Sequence, residues 1–467
     1  MRLNVPEPKI DLYNDGFADH DQLGRKATGD KLSDLVERID DPMVIALDGA
    51  WGSGKSFFLK CWVGEHLKRK ENTTQTVYFD AFEHDFLDDP LIALTGAIAE
   101  RFESAESQEE NQKTERSKKI KKAAWAVGKG ALRIGASVAT FGATEALSDM
   151  GDAVANAVGD EARTFLSSDI GNGEAEKFWT AHEARIAAMK AFRIALTELT
   201  EPVTEDQATR VDRLRVGNPT RKLVVVIDEL DRCRPDYALS LLEIIKHFFN
   251  VPGVHFVLGV NLKELQNSVR ARYGSGVDAA KYLQKFVSVE MPLRSTDTSG
   301  FEPSAYLKHF VSVTGKMKIA EHPLNHLVRD YLEMANHHFP ITLRDVEKMC
   351  ALLAVIAHDH LNTKGSQYLL AGLIVLKITA PHLVDAAKRN ELEFKELNQA
   401  FLLDSRIAQG GVWNEARQSW LLATSKDMNK GLRPDDFDAL QPLFNQEDPQ
   451  EVLRLVIAYN LDSFILR

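Results

Sequence analysis

Residues 49–56 read GAWGSGKS, with the apolar run MVIALD at 43–48 before them and FFLKCWVGEHLKRK at 57–70 after them. The spacing is G-x-x-x-x-G-K-[ST], and its surroundings read as strand, tight loop and helix, the context that gives the pattern its meaning. Glycines let consecutive backbone N–H groups turn toward phosphate oxygens, and the helix that follows adds its positive N-terminal end. Gly49, Ala50, Trp51, Gly52, Ser53, Gly54, Lys55, Ser56 and Phe57 are therefore the expected nucleotide-binding residues. Lys55 is expected at the β- and γ-phosphates, and Ser56 to offer its hydroxyl to Mg²⁺.

The same alternation continues outward. TVYFDAF at 76–82 reads as a second strand, KLVVVIDEL at 222–230 as a third, VHFVLGV at 254–260 as a fourth and FVSVEM at 286–291 as a fifth. Helical spacing separates several of them, which predicts a parallel sheet. VVVIDELD brings Asp228 out at the end of a buried strand, where ligands of such sheets sit. Asp228 suits the Mg²⁺ shell and Glu229 suits the orientation of an attacking water. Asp231 and Arg232 are expected to cap and brace the next helix. Asn261, just past the fourth strand, either holds a water or the γ-phosphate, or caps the helix that follows. Arg270 and Arg272 on that helix read either as arginine fingers for a neighbouring subunit or as solvated surface arginines.

The 467 residues suggest more than one domain, and 44% hydrophobic with 27% charged residues is ordinary globular composition. The boundaries fall at 1–102 and 219–294 for two parts of one α/β domain, 103–218 for a helical insertion and 295–467 for an all-α lid and partner-binding domain. Cys61, Cys233 and Cys350 are too few and too far apart for a disulfide framework or a metal finger, which points to a reducing compartment. No secretory signal opens the sequence. A net charge of −11 disfavours a nucleic-acid coat, so DNA is possible but not indicated as a partner. His337–His338 and His358–His360 lack a zinc-enzyme ligand arrangement.

Together, DQLGR at 21–25, GAWGSGKS at 49–56, FDAFEHDFLDDP at 79–90, IDELDRC at 227–233 and KYLQKFVSVEMPL at 281–293 resemble the KAP family of P-loop NTPases. The resemblance covers roughly the first 350 residues. It implies a sheet of the additional-strand, catalytic-glutamate division of P-loop ATPases. This chain departs from it in having Asp80 and Phe82 where Asn and Trp are common, and Glu229 where a second Asp is common. The resemblance also makes Arg344, in FPITLRDVEKM, the counterpart of a γ-phosphate-sensing lid arginine, although the usual preceding proline is missing; a solvated helix arginine explains it equally well. ATP is preferred to GTP because no N-K-x-D loop follows IDELD at 227–231. The implied activity is ATP hydrolysis with Mg²⁺, driving a conformational switch or assembly platform in bacterial antiphage defence. A homo-oligomer and a protein effector are the expected partners. The alternatives are a membrane-associated signalling scaffold, a DNA-processing motor, or an inactive nucleotide binder.

Relatives of this kind often carry transmembrane helices between the two nucleotide motifs, where this chain has AAWAVGKGALRIGASVATFGATEAL at 123–147. Lys129, Arg133 and Glu145 interrupt it, and one charge at a bilayer centre costs about 2.5–3.5 kcal/mol. A membrane span is not expected. The segment either packs within protein or, with RSKKIKK at 116–122, lies on anionic lipid. The protein is thus expected in the cytoplasm, with peripheral contact at the inner face of the membrane through 116–147 as the open alternative.

Overall fold

In the computed structural model, β1 (Met43–Asp48), β2 (Thr74–Asp80), β3 (Lys222–Asp228), β4 (Val254–Val260) and β5 (Val289–Pro292) form one sheet. Their order is β2-β3-β4-β1-β5, and every pairing among the described residues is parallel. The structure describes residues 9–106, 186–200, 217–293, 305–404, 412–425 and 440–462, apart from a few positions within those stretches. Most of the expected insertion, including 116–147, lies outside the described residues, as do His337 and His358–His360.

β3 and β4 are buried along their whole length, as a strand covered on both faces must be. On one face, α1 (Lys26–Arg38) and α2 (Lys55–Leu67) bring Leu32, Val36, Phe58 and Trp62 against Ile45, Val224 and Val257. The opposite face is covered by α3 (Pro90–Glu106), a helix over 192–200, α4 (Pro235–Phe248) and α5 (Leu262–Tyr273), through Leu94, Phe192, Leu241 and Leu265. Each such side chain taken fully from water contributes about 1.5–3 kcal/mol.

Three strands differ from their sequence reading: β3 ends at Asp228 rather than Leu230, and β2 and β5 are shifted at both ends. β2 stops at Asp80, because Asp80 Oδ1 accepts the N–H groups of Phe82 and Glu83, both at 3.1 Å, and turns the chain there. β5 starts only at Val289, because the N–H groups of Phe286 and Val287 are spent on Leu283 O, at 2.9 and 3.1 Å, closing α6 (Ala279–Leu283).

From Ala305 onward the described elements are helical and have their own core. α7 (Ala305–Met317), α8 (Asn325–Ala335) and α9 (Leu343–Val355) lead to α10 (Lys364–Thr379), which is buried on nearly every side from Gly365 to Leu376. Helices wrap it so closely that a Cβ on Gly372 would stand 2.7 Å from Trp420 Cζ2. No helix among the described residues is long and apolar enough to cross a membrane.

Candidate functional site

Between β1 and α2 the chain passes through Gly52 (φ 78°) and Gly54 (φ 83°), the left-handed backbone that side-chain-bearing residues avoid. Gly49 N–H donates to Val260 O at 3.1 Å, which ties the start of this loop to the end of β4. Lys55 is buried, and its Nζ donates to the carbonyls of Gly49 at 2.6 Å and Ala50 at 3.3 Å, within the loop it serves. Burial pushes the Lys55 ammonium below its ordinary pKa, while the carboxylates of Asp231 and Asp228 pull it back up.

Asp228 is 0% exposed at the end of β3. Its Oδ2 accepts the Tyr78 hydroxyl at 2.7 Å and its Oδ1 accepts the Glu229 N–H at 2.9 Å. Glu229 takes a left-handed backbone (φ 58°), which folds its side chain back so that Oε1 receives the Ser56 hydroxyl at 3.3 Å. A non-glycine residue held there costs about 1–3 kcal/mol, a cost that clusters at functional sites. Burial raises both carboxyls above the ordinary range; hydrogen bonds from Tyr78 and Ser56 oppose it at Asp228, and the Arg232 charge opposes it at Glu229. Asp80 stands in register beside Asp228 and adds negative charge to both. Gly259, in register on the other side, leaves the space: a Cβ there would collide with Asp228 Oδ1.

These donors are hard oxygens in a negatively charged, partly buried setting, which is the chemistry magnesium prefers. Ser56 and Asp228 fit as its holders, and Glu229, held between the Ser56 hydroxyl and Arg232, is the acid left to meet a water.

The structure brings Lys55, Ser56, Asp228 and Glu229 together and treats the remaining candidates differently. Asn261 caps α5, its side chain accepting the Lys263 N–H at 3.2 Å, while Asp48 Oδ1 accepts the Leu262 N–H at 2.9 Å. Arg344 is exposed near the start of α9, yet that start lies on the loop: Leu343 N–H donates to Gly52 O at 3.1 Å. A Cβ on Gly52 would meet Arg344 Cβ at 2.7 Å and Thr342 Oγ1 at 2.9 Å. Arg270 bonds Asn267 at 3.0 Å and Arg272 bonds Asp236 at 2.8 Å, both within this chain.

Asp231 and Arg232 do not brace the next helix, as their place in the sequence predicts, but turn to the site. The bend at Glu229 sends them into a 3₁₀ turn, Leu230–Arg232. There Asp231 Oδ2 accepts the Trp51 indole N–H at 2.5 Å, and Arg232 pairs with Glu229 Oε2 at 2.9 Å. Two further residues escape the sequence reading. Arg25, 4% exposed, donates from Nη1 to Ser53 O at 2.6 Å and so clamps the loop from the start of α1. Tyr78 holds Asp228, and burial with the neighbouring Asp228 charge pushes its hydroxyl far above the ordinary range, so it stays a donor. The only signal for Arg25 is its place in DQLGR; Tyr78 has none.

Among comparisons with known proteins, the description of the KAP family P-loop domain matches residues 25–359. Two solved structures of the ORC2 protein of Aeropyrum pernix are similar over most of the chain. One, with ADPNP and ADP, is 11% identical over 94% of this chain and 95% of its own, at a TM-score of 0.31. The other, in the ADP form, is 10% identical over 94% of each, at 0.30. No curated protein matches.

Proposed function

This chain belongs to the KAP family of P-loop NTPases, and from that membership we propose that it hydrolyses ATP with Mg²⁺ and passes the state of its nucleotide to the helical domain. The observation that carries the reading is the meeting of Ser56 with Glu229 at 3.3 Å, beside buried Asp228 and the glycine turn. Loop N–H groups and Lys55 hold the phosphates, Lys55 exchanging the carbonyls of Gly49 and Ala50 for phosphate oxygens. Ser56 and Asp228 would hold magnesium, which would offset charge on the phosphates. Glu229 accepts a hydrogen bond from water and aims it at the γ-phosphorus; a positioned base of this kind contributes about 10²–10⁴-fold.

ATP rather than GTP is favoured by the lack of a guanine-reading N-K-x-D stretch after Asp228. The switch reading is supported by the α9 contact, because a phosphate drawing on the Gly52 region competes with the shape that lets Leu343 N–H reach Gly52 O. ATP-driven self-assembly and an antiphage role complete the reading; the latter comes from the family resemblance.

The test is phosphate release from ATP and GTP by the wild type, Lys55→Ala and Glu229→Gln, with mass in solution followed with and without nucleotide. Turnover of ATP that both substitutions remove, with a mass that rises on ATP, supports the proposal. Nucleotide binding without turnover in the wild type leaves a nucleotide-dependent scaffold. Phage plating efficiency on cells expressing the wild type or Lys55→Ala tests the defence role, which fails if the two are equal.

A further inference from the structure

Tyr78 lies in β2 opposite Val226 of β3, and Asp228 follows two residues later on the same face of that strand. The tyrosine side chain therefore runs along the sheet toward the strand ends, and its hydroxyl reaches Asp228 Oδ2 at 2.7 Å. The other oxygen of Asp228 is fixed by the Glu229 N–H at 2.9 Å. The Tyr78 hydroxyl and the Glu229 N–H thus each fix one oxygen of the carboxylate, which also faces the Ser56 hydroxyl.

The strand that carries Tyr78 is itself held. β2 stands at the edge of the sheet, and the outward N–H of Tyr78 donates to Tyr13 Oη at 3.0 Å. The Arg101 guanidinium lies 3.8 Å from the centre of the Tyr13 ring, and its Nε donates to Thr76 O at 3.0 Å. Side chains therefore occupy the free edge next to Tyr78, and the backbone from which it reaches Asp228 has little room to shift.

We propose that Tyr78 is a positioning residue for the divalent cation: by orienting the Asp228 carboxylate toward Ser56 it sets how tightly the nucleotide site holds its metal. This rests on the reading that Ser56 and Asp228 are the metal's protein ligands. Partners that orient a ligating carboxylate are worth about 10–100-fold in metal affinity. A tyrosine that merely satisfies a buried acid would affect stability and leave the cation alone.

Tyr78→Phe removes one oxygen and keeps the ring. The matched control is Tyr13→Phe, which removes the oxygen on the other side of Tyr78 but leaves both the bond to Asp228 and the Arg101 bond to Thr76 O that still holds the strand edge. Mn²⁺ binding is measured by electron paramagnetic resonance with a nonhydrolysable ATP analogue, and affinity for the analogue is measured again in EDTA. The expected result is Mn²⁺ binding about tenfold weaker in Tyr78→Phe, with metal-free nucleotide affinity unchanged and Tyr13→Phe like the wild type. Equal Mn²⁺ affinity in Tyr78→Phe and wild type overturns the inference alone. So does equal weakening in both variants, or a matching loss of metal-free nucleotide affinity, since either makes Tyr78 a structural residue. A wild type that binds no Mn²⁺ with the analogue overturns the metal-site reading and the inference together.

Discussion

At the C-terminal end of the sheet, β1, β2 and β3 finish on Asp48, Asp80 and Asp228, and the next turns add Glu229 and Asp231. Lys55 and Arg232 are the cations set among them. At the opposite end, Lys222 opens β3, 6% exposed, and its Nζ donates to the carbonyls of Val36, Glu37 and Ile39 at 3.2, 2.5 and 2.7 Å and pairs with Asp40 at 3.0 Å. Nearby, Glu37 accepts from Thr74 at 2.7 Å and Thr73 at 3.2 Å, and His66 stands 3.3 Å from it. Both ends bury charge. The lower end answers its charges with the last carbonyls of α1 and with opposite charges, which is what a structural network requires. The upper end buries its carboxylates and crowds them together, burial first and neighbouring negative charge second raising two of them above the ordinary range, an arrangement suited to a cation and phosphates.

Substitution should therefore separate the two ends cleanly. Glu229→Gln is expected to lower ATP turnover by about 10²–10⁴-fold, the largest effect of any single change at either end. Its urea midpoint should stay level or rise, because the change removes a half-buried negative charge from beside Asp80 and Asp228 and gives up only a partly exposed pair with Arg232. A fall in the midpoint would make Glu229 part of the scaffold and erase the contrast.

Lys222→Met should do the reverse. It takes the buried ammonium away from the carbonyls of Val36, Glu37 and Ile39, while Asp40, 41% exposed, can turn to water, a loss of about 1.5–3 kcal/mol by the worth of hydrogen bonds to a charged group. Urea unfolding checks the loss, and nucleotide titration at low temperature checks that the protein still folded binds as the wild type does. Weakened binding in the folded protein would mean that the lower end communicates with the site.

How far each end is legible in the sequence follows from the range of its contacts. Gly52 and Gly54 can be read because a backbone conformation and a residue type are bound together locally. Asp228 can be read because an apolar run that ends in an acid marks the rim of a buried strand. Tyr78 with Asp228, Trp51 with Asp231 and Arg25 with Ser53 are paired by strand register and helix docking across long stretches of chain, which no local spacing encodes. The seat of α9 on Gly52 has the same origin. Asp231 and Arg232 depart from their reading because the left-handed turn at Glu229, on a residue that rarely adopts it, redirects both side chains.

A milder probe of the lower end is pH. Burial, then the Lys222 charge, pushes His255 down to about 4, against the weaker pull of the Ile39 backbone, Asp40 and Glu37. Above pH 6.5 the ring is neutral in both folded and unfolded chains. As pH falls from 6.5 toward 4, the unfolded chain takes a proton that the folded chain refuses, so stability is lost across that window, by at most about 3 kcal/mol. Glu37, held at about 2 although burial alone would raise it, contributes stability that is lost only below its ordinary 4.5. Urea midpoints at pH 7.5 and 5 should therefore differ in the wild type and differ much less in His255→Leu. An equal pH dependence in both would place the titrating group elsewhere.

The smallest expected effect lies at the upper end, where Trp51 joins the phosphate loop to the turn after β3. Its indole N–H donates to Asp231 Oδ2 at 2.5 Å; Asp231 is 7% exposed, while the Trp51 side of the bond, at 45%, lies open to water. A hydrogen bond to a charged group is worth about 1.5–3 kcal/mol when both partners are dry. Water can replace a half-exposed indole, so Trp51→Phe should cost about 1 kcal/mol, or about fivefold in nucleotide affinity by calorimetry. Turnover at saturation should hardly change, because neither Asp228 nor Glu229 depends on the indole. Asp231→Asn keeps an acceptor and should cost less, and adding it to Trp51→Phe should cost little more, since both act through one bond. If the two effects simply add, the indole and the carboxylate act separately, and the loop is held by Arg25 and α9 alone. If turnover falls while affinity holds, Trp51 belongs with the residues that position the reaction, and the upper end has one more working part than its carboxylates suggest.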